Sequence, residues 1–320
     1  MSPLRVVLTG ATGFVGSAVL RELLTTRPPE TDVRVRALVR DASGRPTPPG
    51  LVWEGADLMT PASLRGACRD ADVLIHLASL VSGDDATCAA VNVRGTGALM
   101  EEARRAGVGR VVHLSTAAVY GPGPHSGPDV GEIEPAPTSP ASRTRLEGES
   151  AAVEAGATVL RPGLVLGRGD RWVVPALAEL RARVPAHWDG GRGLLSMVDV
   201  EDLARLIVGL ARADGSGPAG VYHASHPVPV RNLDLMSRLT SLGVLDPVTE
   251  DWSWQECLDR FRRSPGRMTE RQFSLLARDH WYRSEEIWRV AGCPEGPGPL
   301  ARLAGAGGWY RELNGKLPKP

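Results

Sequence analysis

Three glycines near the amino terminus stand three residues apart, at Gly10, Gly13 and Gly16. They directly follow an apolar, β-branched run, and a stretch with helical periodicity comes after them. A strand, a tight glycine turn and a helix amino terminus together let backbone N–H groups approach a pyrophosphate. The pattern therefore predicts a dinucleotide-binding site. The residues that the motif assigns to this site are Gly10, Thr12, Gly13, Phe14 and Val15.

A cation stands at the end of the second apolar run. An acidic residue there would accept a hydrogen bond from the ribose 2′-hydroxyl of NAD, but this chain has Arg40, with Arg34 and Arg36 nearby. A guanidinium can grip a 2′-phosphate through two parallel hydrogen bonds. The residue therefore favours NADP(H) as the cofactor. The alternative is that Arg40 is a solvated surface residue and that NAD(H) is also accepted.

Strands and helices alternate through the first half of the chain. The hydrophobic pattern predicts strands over residues 4–9, 33–39, 51–54, 73–77, 111–115 and 158–160, and helices over residues 17–24 and 91–106. This alternation predicts an α/β fold with a doubly wound parallel sheet, in which ligands bind beyond the carboxyl ends of the strands. A further helix is expected over residues 171–183, and a strand–helix unit over 197–211 that packs back on the sheet.

The second half predicts a smaller, mainly helical substrate lobe. We assign residues 1–165 and about 195–225 to an NADP(H)-binding Rossmann domain, and residues 166–194 and 226–320 to the lobe. The carboxyl-terminal region is rich in tryptophan, and each of these side chains either packs in a core or caps a pocket. They are Trp252, Trp254, Trp281, Trp288 and Trp309.

Composition limits the classes of partner. Lys plus Arg and Asp plus Glu number 37 each, and this balance argues against nucleic acid as the main partner. The four cysteines show neither metal-ligand nor redox spacing, so we expect reduced thiols, a cytoplasmic protein and no metal site. No apolar run is long enough to span a membrane, and no secretion signal is expected. A monomer and a dimer both remain open.

Several further segments resemble the extended short-chain dehydrogenase/reductase superfamily, in its nucleotide-sugar epimerase-like branch. Besides the glycine motif, the matching segments are residues 56–58, 76–79, 91–96, 114–121, 161–167 and 197–204. The resemblance implies a Rossmann fold and an oxidoreductase that uses a nicotinamide cofactor. The additional cofactor contacts that it implies are Asp57, Leu58, Leu77, Ala78, Ser79, Arg145, Pro162, Gly163 and Leu164.

The chain departs from this family at the catalytic residues. Thr116 fills the place of the family's active-site serine or threonine, and Ser115 precedes it. The family then carries a Tyr-x-x-x-Lys motif after a proline, whereas this chain has Ala141 in the tyrosine position and Arg145 in the lysine position. The tyrosine supplies the proton that a reduced carbonyl needs, and a positioned general acid is worth roughly 10²–10⁴ in rate.

Three other proton sources are conceivable. They are another side chain such as His187 or Tyr120, an ordered water, and a phenol of the substrate next to the carbonyl. A phenol beside a ketone is typical of aromatic polyketides, and among atypical members the pattern is similar to angucyclinone ketoreductases of simocyclinone-type biosynthesis. This resemblance implies a small-molecule aromatic polyketide as substrate. The alternatives are a sugar-nucleotide epimerase or dehydratase and a non-catalytic NADP(H)-sensing protein.

Other residues at the expected carboxyl edge are candidates for the substrate pocket. Those that we assign to substrate contact are Val81, Ser82, Tyr120, His187 and Trp188, the last two in a proline-flanked loop. His76 and His113 lie in apolar strands, and we expect them to be hydrogen-bonded core residues. The segment from Tyr120 to Pro140 is either a lid or a solvated loop.

Overall fold

The computed structural model describes residues 3–25, 32–213 and 217–314, so the outermost residues of the predicted domain ranges lie outside it. Its strands are β1 (Leu4–Thr9), β2 (Val33–Val39), β3 (Leu51–Gly55), β4 (Val73–His76), β5 (Arg110–Leu114), β6 (His125–Ser126), β7 (Thr158–Arg161), β8 (Leu164–Leu166), β9 (His187–Trp188), β10 (Leu194–Leu195), β11 (Met197–Asp199), β12 (Gly220–His223), β13 (Val230–Arg231), β14 (Asp251–Trp252) and β15 (His280–Trp281). Its α-helices are α1 (Phe14–Thr25), α2 (Asp85–Ala89), α3 (Thr96–Arg105), α4 (Pro140–Glu154), α5 (Val173–Arg183), α6 (Val200–Arg212), α7 (Asn232–Ser241), α8 (Trp254–Arg263), α9 (Glu270–Ala277), α10 (Glu285–Val290) and α11 (Pro299–Asn314).

Seven parallel strands form the main sheet. Their order is β12-β7-β5-β4-β1-β2-β3, so the strand order reverses on either side of β1 and β4. This order is that of a doubly wound Rossmann sheet with one strand added at the edge, and it confirms the predicted fold class. The added strand, β12, was not predicted, because its four residues carry no clear apolar run.

Alternate residues of the strands face two different cores. Val6 and Leu8 of β1 pack with α1, α6 and the buried Trp288, whereas Val7 packs against α3 and α4. A strand that is buried on both sides reads as a continuous apolar run, which explains why β1 and β4 were recognisable in the sequence. The predicted return of residues 197–211 to the sheet is confirmed, since α6 packs along α1.

The remaining elements build a second core around α5. Helices α7, α8, α9 and α11 supply buried side chains to it, together with the fully buried Trp188. A four-stranded sheet of order β13-β10-β15-β6 lies beside this core. Because β6 belongs to the segment 120–140 and pairs with β15 (His280–Trp281), that segment is not a free lid, although most of residues 129–136 are exposed as in a solvated loop.

Two local predictions need correction. The helix expected over residues 91–106 begins earlier, at α2, and passes through a π-helical turn, Ala90–Gly95, before continuing as α3. Residues 187 and 188 do not lie in a loop, because they form β9, which pairs with β14. No helix in the described ranges is long and apolar enough to cross a membrane.

Candidate active site

The predicted site residues gather at the carboxyl edge of the main sheet. Gly10 follows β1, Arg40 follows β2, Ser79 lies in the segment after β4, Thr116 lies at the end of β5, and Gly163 follows β7. Because the five strands are parallel neighbours, their carboxyl ends meet along one line. Ligands bind at such an edge in doubly wound sheets, so the fold positions these residues as a common site.

The glycine turn has the geometry of a phosphate cradle. Gly10 has φ of 74°, and a Cβ there would lie 2.7 Å from the backbone nitrogen of Ala78. At Gly16 a Cβ would lie 1.9 Å from the carbonyl oxygen of Gly10, so only glycine lets α1 begin this close to the turn. Thr12 and Gly13 are exposed at the start of the helix. The backbone here fits a dinucleotide pyrophosphate.

Arg40 is free to meet a ligand. It is exposed, and within the described ranges its guanidinium makes no hydrogen bond or ion pair. The neighbouring Arg36 is committed elsewhere, because it donates to the carbonyls of Ala67 and Arg69 and pairs with Glu54. Of these two arginines, only Arg40 keeps the side-chain donors that a 2′-phosphate would need.

A buried histidine ties the glycine turn to β4. The Thr9 hydroxyl accepts the N–H groups of Leu77 and Ala78, so its own proton points to Nδ1 of His76, 2.7 Å away. The Nε2–H of His76 must then donate to Thr96, 3.0 Å away. Burial lowers the pKa of His76 to about 4, in keeping with this neutral ring. The prediction that His76 is a hydrogen-bonded core residue is confirmed.

His113 differs from this picture. Its ring stacks on that of His76 with centroids 5.0 Å apart, and its Nδ1 atom is buried without a partner among the described residues. Burial holds its pKa well below the usual histidine range. The expectation that all its polar atoms are satisfied is therefore wrong for Nδ1.

The π-helical turn shapes the segment that follows β4. Asn92, in this turn, accepts from the backbone nitrogen of Leu80 and donates to its carbonyl and to Thr144 of α4. π-helical turns are often found at functional sites. Asn92 thereby fixes the chain that leads to Val81 and Ser82, both of which are exposed. These two predicted substrate contacts lie at an accessible part of the edge.

Thr116 and Ser115 have different surroundings. Thr116 is partly exposed and caps the 3₁₀ turn Ala117–Tyr120 by accepting the Ala118 N–H, 3.2 Å away. Ser115 is fully buried and donates to the carboxylate of Glu149. Only Thr116 can therefore reach a substrate, and the hydroxyl of Ser115 supports the site from below.

A buried ion pair underlies this strand end. Arg161 and Glu149 are both more than nine-tenths buried and lie 2.5 Å apart. Arg161 also donates to the hydroxyl of Tyr120, 2.8 Å away, and that hydroxyl in turn donates to Nε2 of His223. The Nδ1–H of His223 donates to the carbonyl of Arg283. This network connects β5, α4, β7 and β12 behind Thr116.

Helix α4 carries the replaced catalytic positions. It begins with a capping box of Ser139 and Ser142, so the helix forms without a tyrosine at position 141. Ala141 and Arg145 are four residues apart and share one face. The Arg145 guanidinium donates to the carbonyls of Leu114 and Ser115, at 3.1 and 2.7 Å. Burial lowers its pKa to about 10.

None of the four tyrosine hydroxyls has Thr116 or Arg145 as a hydrogen-bond partner. Tyr120 binds His223, Tyr282 binds His125, Tyr222 binds the carbonyl of its neighbour Ala219, and Tyr310 binds Gly167 and Asp170. All four lie in the described ranges. No tyrosine from another segment thus replaces the phenol missing at Ala141.

Two predicted substrate residues are buried in cores. Tyr120 is 2% exposed within the network behind Thr116, and Trp188 is 1% exposed and donates to the carbonyl of Val184. His187 is partly exposed on β9, and the structure shows no contact between it and Thr116. The structure therefore brings Val81, Ser82 and Thr116 to the edge of the main sheet and leaves the other three elsewhere.

The other residues assigned to the cofactor lie in several elements around the edge. Asp57 forms a turn by accepting the Met59 N–H, and Leu58 packs against Gly95 of the π-helical turn. Pro162 accepts from the Ala117 N–H, which joins the β7 end to the Thr116 turn. Phe14 meets Gly169, so the loop after β8 touches the glycine turn. Leu164 opens β8 and pairs with Met197.

No sequence pattern pointed to the supporting network. Arg161 lies in a segment that was recognised, but its partner Glu149 is twelve positions away on a helix and has no distinctive spacing. His223 lies on the unpredicted β12. Among the described residues, no group of three or more His, Cys, Asp or Glu side chains is arranged to hold a metal ion.

The comparison with protein families decides the assignment. The model of the NAD dependent epimerase/dehydratase family matches residues 6–224, which include the main sheet except the first two residues of β1. The chain belongs to this family. It is therefore an oxidoreductase of the nicotinamide-dependent type, and the glycine cradle described above provides the backbone that such a cofactor requires.

Two relatives within the family's curated proteins are reductases. One is the 4-hydroxy-2-methyl-3-oxo-4-farnesyl-3,4-dihydroquinoline-1-oxide ketoreductase of Stigmatella aurantiaca, 31% identical over 253 residues, which covers 75% of this chain and 72% of the relative. Another is the 2-alkyl-3-oxoalkanoate reductase of Stenotrophomonas maltophilia, 30% identical over 317 residues, with 90% and 94% covered. Both names describe reduction of a ketone.

Solved structures share the fold along nearly the whole chain. MoeE5 in complex with UDP-glucuronic acid and NAD is 25% identical, with a TM-score of 0.71 and coverage of 96% of this chain and 99% of that one. The Bordetella bronchiseptica enzyme WbmG in complex with NAD has a TM-score of 0.73 at 19% identity, over 97% and 95% of the two chains. The second likeness concerns the fold alone.

Proposed function

We propose that this chain is an NADPH-dependent ketoreductase that reduces a carbonyl of an aromatic polyketide of the angucyclinone type, in antibiotic biosynthesis. The observation that carries the proposal is the combination at one sheet edge of a complete dinucleotide cradle with Thr116 and an alanine in the place of the family's tyrosine. The two reductase relatives support ketone reduction, and one of them acts on a ring ketone of a quinoline.

NADPH is the preferred cofactor in this proposal. Arg40 has free donors at the end of β2, where a 2′-phosphate would lie next to the adenosine ribose. Asp57 and Leu58 follow β3 and would border the adenine, and Leu77 to Ser79 would border the ribose. NAD(H) remains usable because the pyrophosphate cradle is formed by backbone and does not depend on Arg40.

Thr116 orients the substrate carbonyl. When bound, the nicotinamide supplies the hydride that reduces the carbonyl carbon. The hydroxyl of Thr116 donates a hydrogen bond to the carbonyl oxygen. Its proton is available for this bond, because the hydroxyl accepts the Ala118 N–H and the residue is partly exposed. Val81 and Ser82 border the same edge and would contact the rest of the ring system.

The proton comes from the substrate in this proposal. The oxygen of the reduced carbonyl must gain a proton, and no tyrosine hydroxyl reaches Thr116. A phenol next to the ketone already holds a hydrogen bond to that oxygen. Its proton can pass to the oxygen as the C–H bond forms, and the remaining phenolate is delocalised over the ring and later regains a proton from water.

Paired substrates test this function. The enzyme is mixed with NADPH and with two aromatic ketones that differ only in a hydroxyl beside the carbonyl, and the loss of NADPH absorbance is followed. We expect the hydroxylated ketone to be reduced roughly 10²–10⁴ times faster, the usual contribution of a positioned acid. Equal rates would refute the substrate-phenol route. Tight NADPH binding without turnover of any ketone would instead favour a cofactor-sensing protein.

The remaining features agree with a small-molecule enzyme inside the cell. The four cysteines are free thiols, and three of them are buried. We therefore keep the cytoplasm as the proposed compartment. A monomer and a dimer are both compatible with this function.

A further inference from the structure

We propose that Arg145 is a positioning residue for Thr116 and does not bind the cofactor ribose, the role that its place in the family pattern implies. It holds the last peptide of β5 in place, so that the Thr116 hydroxyl is correctly directed without the help of a tyrosine. The inference rests on the proposed ketone reduction.

The contacts of Arg145 carry this inference. The register between β4 and β5 ends at His76 and His113, so Leu114 and Ser115 extend beyond that ladder. The Nη2 atom of Arg145 donates to the carbonyls of these two residues, at 3.1 and 2.7 Å. A side-chain donor thus takes over where the backbone donors of β4 stop.

The opposite side of the same peptide is held by β7. The Ser115 N–H donates to Leu160 and the Ala117 N–H donates to Pro162, at 2.7 and 2.8 Å. Thr116 lies between these two bonds and next to the carbonyl that Arg145 holds. The Leu114–Ser115 peptide is therefore held by β7 at its N–H and by Arg145 of α4 at its carbonyl, and Arg145 also holds the carbonyl of the next peptide, directly before Thr116.

The guanidinium of Arg145 has little freedom to turn toward a ribose. It is planar and rigid, and its charge is near enough to His76 and His113 to help lower their pKa values. Its Nε atom is buried and has no acceptor among the residues that the structure describes. The nearest counter-charge, Glu149, is already bound by Arg161 and Ser115. If the guanidinium rotated toward a cofactor ribose, the carbonyls of Leu114 and Ser115 would lose the donor that Arg145 provides.

Another arginine on α4 provides a matched control. Arg143 lies two residues earlier on the same helix, is more exposed, and pairs with Asp85 of α2, 2.6 Å away. Replacing Arg143 therefore removes the same type of side chain from a nearby position on α4, but it removes no hydrogen bond to the end of β5. An exposed pair of this kind contributes at most about 1 kcal/mol to stability.

The experiment compares Arg145→Met, Arg145→Lys and Arg143→Met with the unchanged protein. For each, kcat and KM are measured with a ketone that the unchanged protein reduces, and the Kd for NADPH is measured by fluorescence without a ketone. We expect Arg145→Met to lower kcat by about 10- to 100-fold, as small misplacements of reacting groups do. Its Kd for NADPH should change by less than about twofold, and Arg143→Met should match the unchanged protein.

The lysine variant distinguishes positioning from mere structural damage. Lysine can still donate to the Ser115 carbonyl, so Arg145→Lys should recover much of kcat, whereas a general loss of folding would appear as a lower Tm in both variants. A Kd for NADPH raised tenfold or more, with kcat unchanged, would overturn the inference in favour of a ribose contact. Unchanged kcat and Kd would overturn it as well.

Failure of the proposed function has a different signature. In that case the unchanged protein would bind NADPH and reduce no ketone. The binding measurement alone would still test the ribose contact, because positioning predicts that the Kd for NADPH is insensitive to Arg145. Only the claim about Thr116 would fall together with the function.

Discussion

The two ends of the active-site edge are built in different ways. At the cofactor end, the geometry is set by backbone, since Gly10 and Gly16 allow approaches that no other residue permits. At the catalytic end, it is set by side chains: Arg145 holds β5, and Glu149 and Arg161 support it from below. The cofactor end is complete, whereas the catalytic end lacks the phenol that the family places at Ala141.

This difference shows which losses the fold can bear. A backbone cradle has no single removable group, because a side chain at Gly10 or Gly16 would collide with the main chain. A side-chain site can lose one functional group while the helix that carried it still forms, as α4 does from its Ser139 capping box. Catalytic chemistry can therefore change at one end without disturbing the other.

The largest effect is expected at the cofactor end. A Cβ at Gly16 would lie 1.9 Å from the Gly10 carbonyl, so Gly16→Ala should cost more than about 4 kcal/mol of unfolding free energy and abolish NADPH binding. The control is Gly97→Ala, where nothing lies within 4 Å, and its stability should change by about 1 kcal/mol or less. Thermal unfolding and NADPH fluorescence measure both. NADPH binding by a stable Gly16→Ala variant would contradict the cradle.

The second largest effect is expected for the buried ion pair of Arg161 and Glu149, which supports the catalytic end. Glu149→Gln leaves the buried Arg161 without its counter-charge and should lower the free energy of unfolding by about 3–5 kcal/mol. The exposed pair of Arg5 and Asp72 is a matched comparison, and Asp72→Asn should cost about 1 kcal/mol or less. Denaturant titrations of the two variants provide the measurement. Similar losses in both would mean that burial does not distinguish the pairs.

Acid should lower the free energy of unfolding through one buried histidine at each end of the active-site edge. Burial lowers the pKa of His76 and of His223 to about 4, below the value of about 6.5 in an unfolded chain. Between these values the unfolded state binds more protons, so stability is fully present above pH 6.5 and falls toward pH 4. Each histidine contributes about 3 kcal/mol to this loss.

Single substitutions separate the two contributions. His76→Asn acts at the cofactor end and His223→Asn at the catalytic end, and each should flatten the plot of unfolding free energy against pH in that range. If both variants retain the slope of the unchanged protein, these histidines are not the groups responsible.

Cofactor choice should depend on one side chain. Arg40→Asp removes the donors for a 2′-phosphate and adds a charge that repels it, so the preference for NADPH over NADH should fall by about 100-fold. Arg34→Asp, on the exposed side of β2, serves as the control for the change in charge. The ratio of kcat/KM for the two cofactors is the measurement. An equal effect of both substitutions would point to general electrostatics.

The smallest effect concerns the missing phenol. Ala141→Tyr restores a hydroxyl to the partly exposed position one turn before Arg145, and it should speed the reduction of ketones without a neighbouring hydroxyl by about 10-fold, at the lower end of what acids contribute. Ala141→Phe adds the same bulk without the proton. If both variants reduce such ketones at the same rate, a hydroxyl at position 141 does not donate a proton to the carbonyl oxygen.

The sequence predicted what local patterns can encode. Six of the seven strands of the main sheet, the glycine turn and the positions of Thr116, Ala141 and Arg145 were recognisable, because glycines and apolar runs act over a few residues. Side-chain direction was harder to predict. Tyr120 and Trp188 were assigned to substrate contact from their type, but packing against distant elements buries them. Arg161 contacts Glu149 on α4 and Tyr120 in the turn after β5, which no spacing reveals.

The fastening of residues 121–127 to the tail has a consequence for engineering and evolution of the chain. His280 bonds to the carbonyl of Pro122, 158 positions earlier, and Trp281 packs where a side chain at Gly127 would collide with it. The turn that starts at Thr116 and the carboxyl-terminal strand β15 are thus joined by direct contacts through residues 121–127. Substitutions or exchanges of the tail would be transmitted to the reacting end of β5, so the tail cannot be exchanged independently of the nucleotide-binding half.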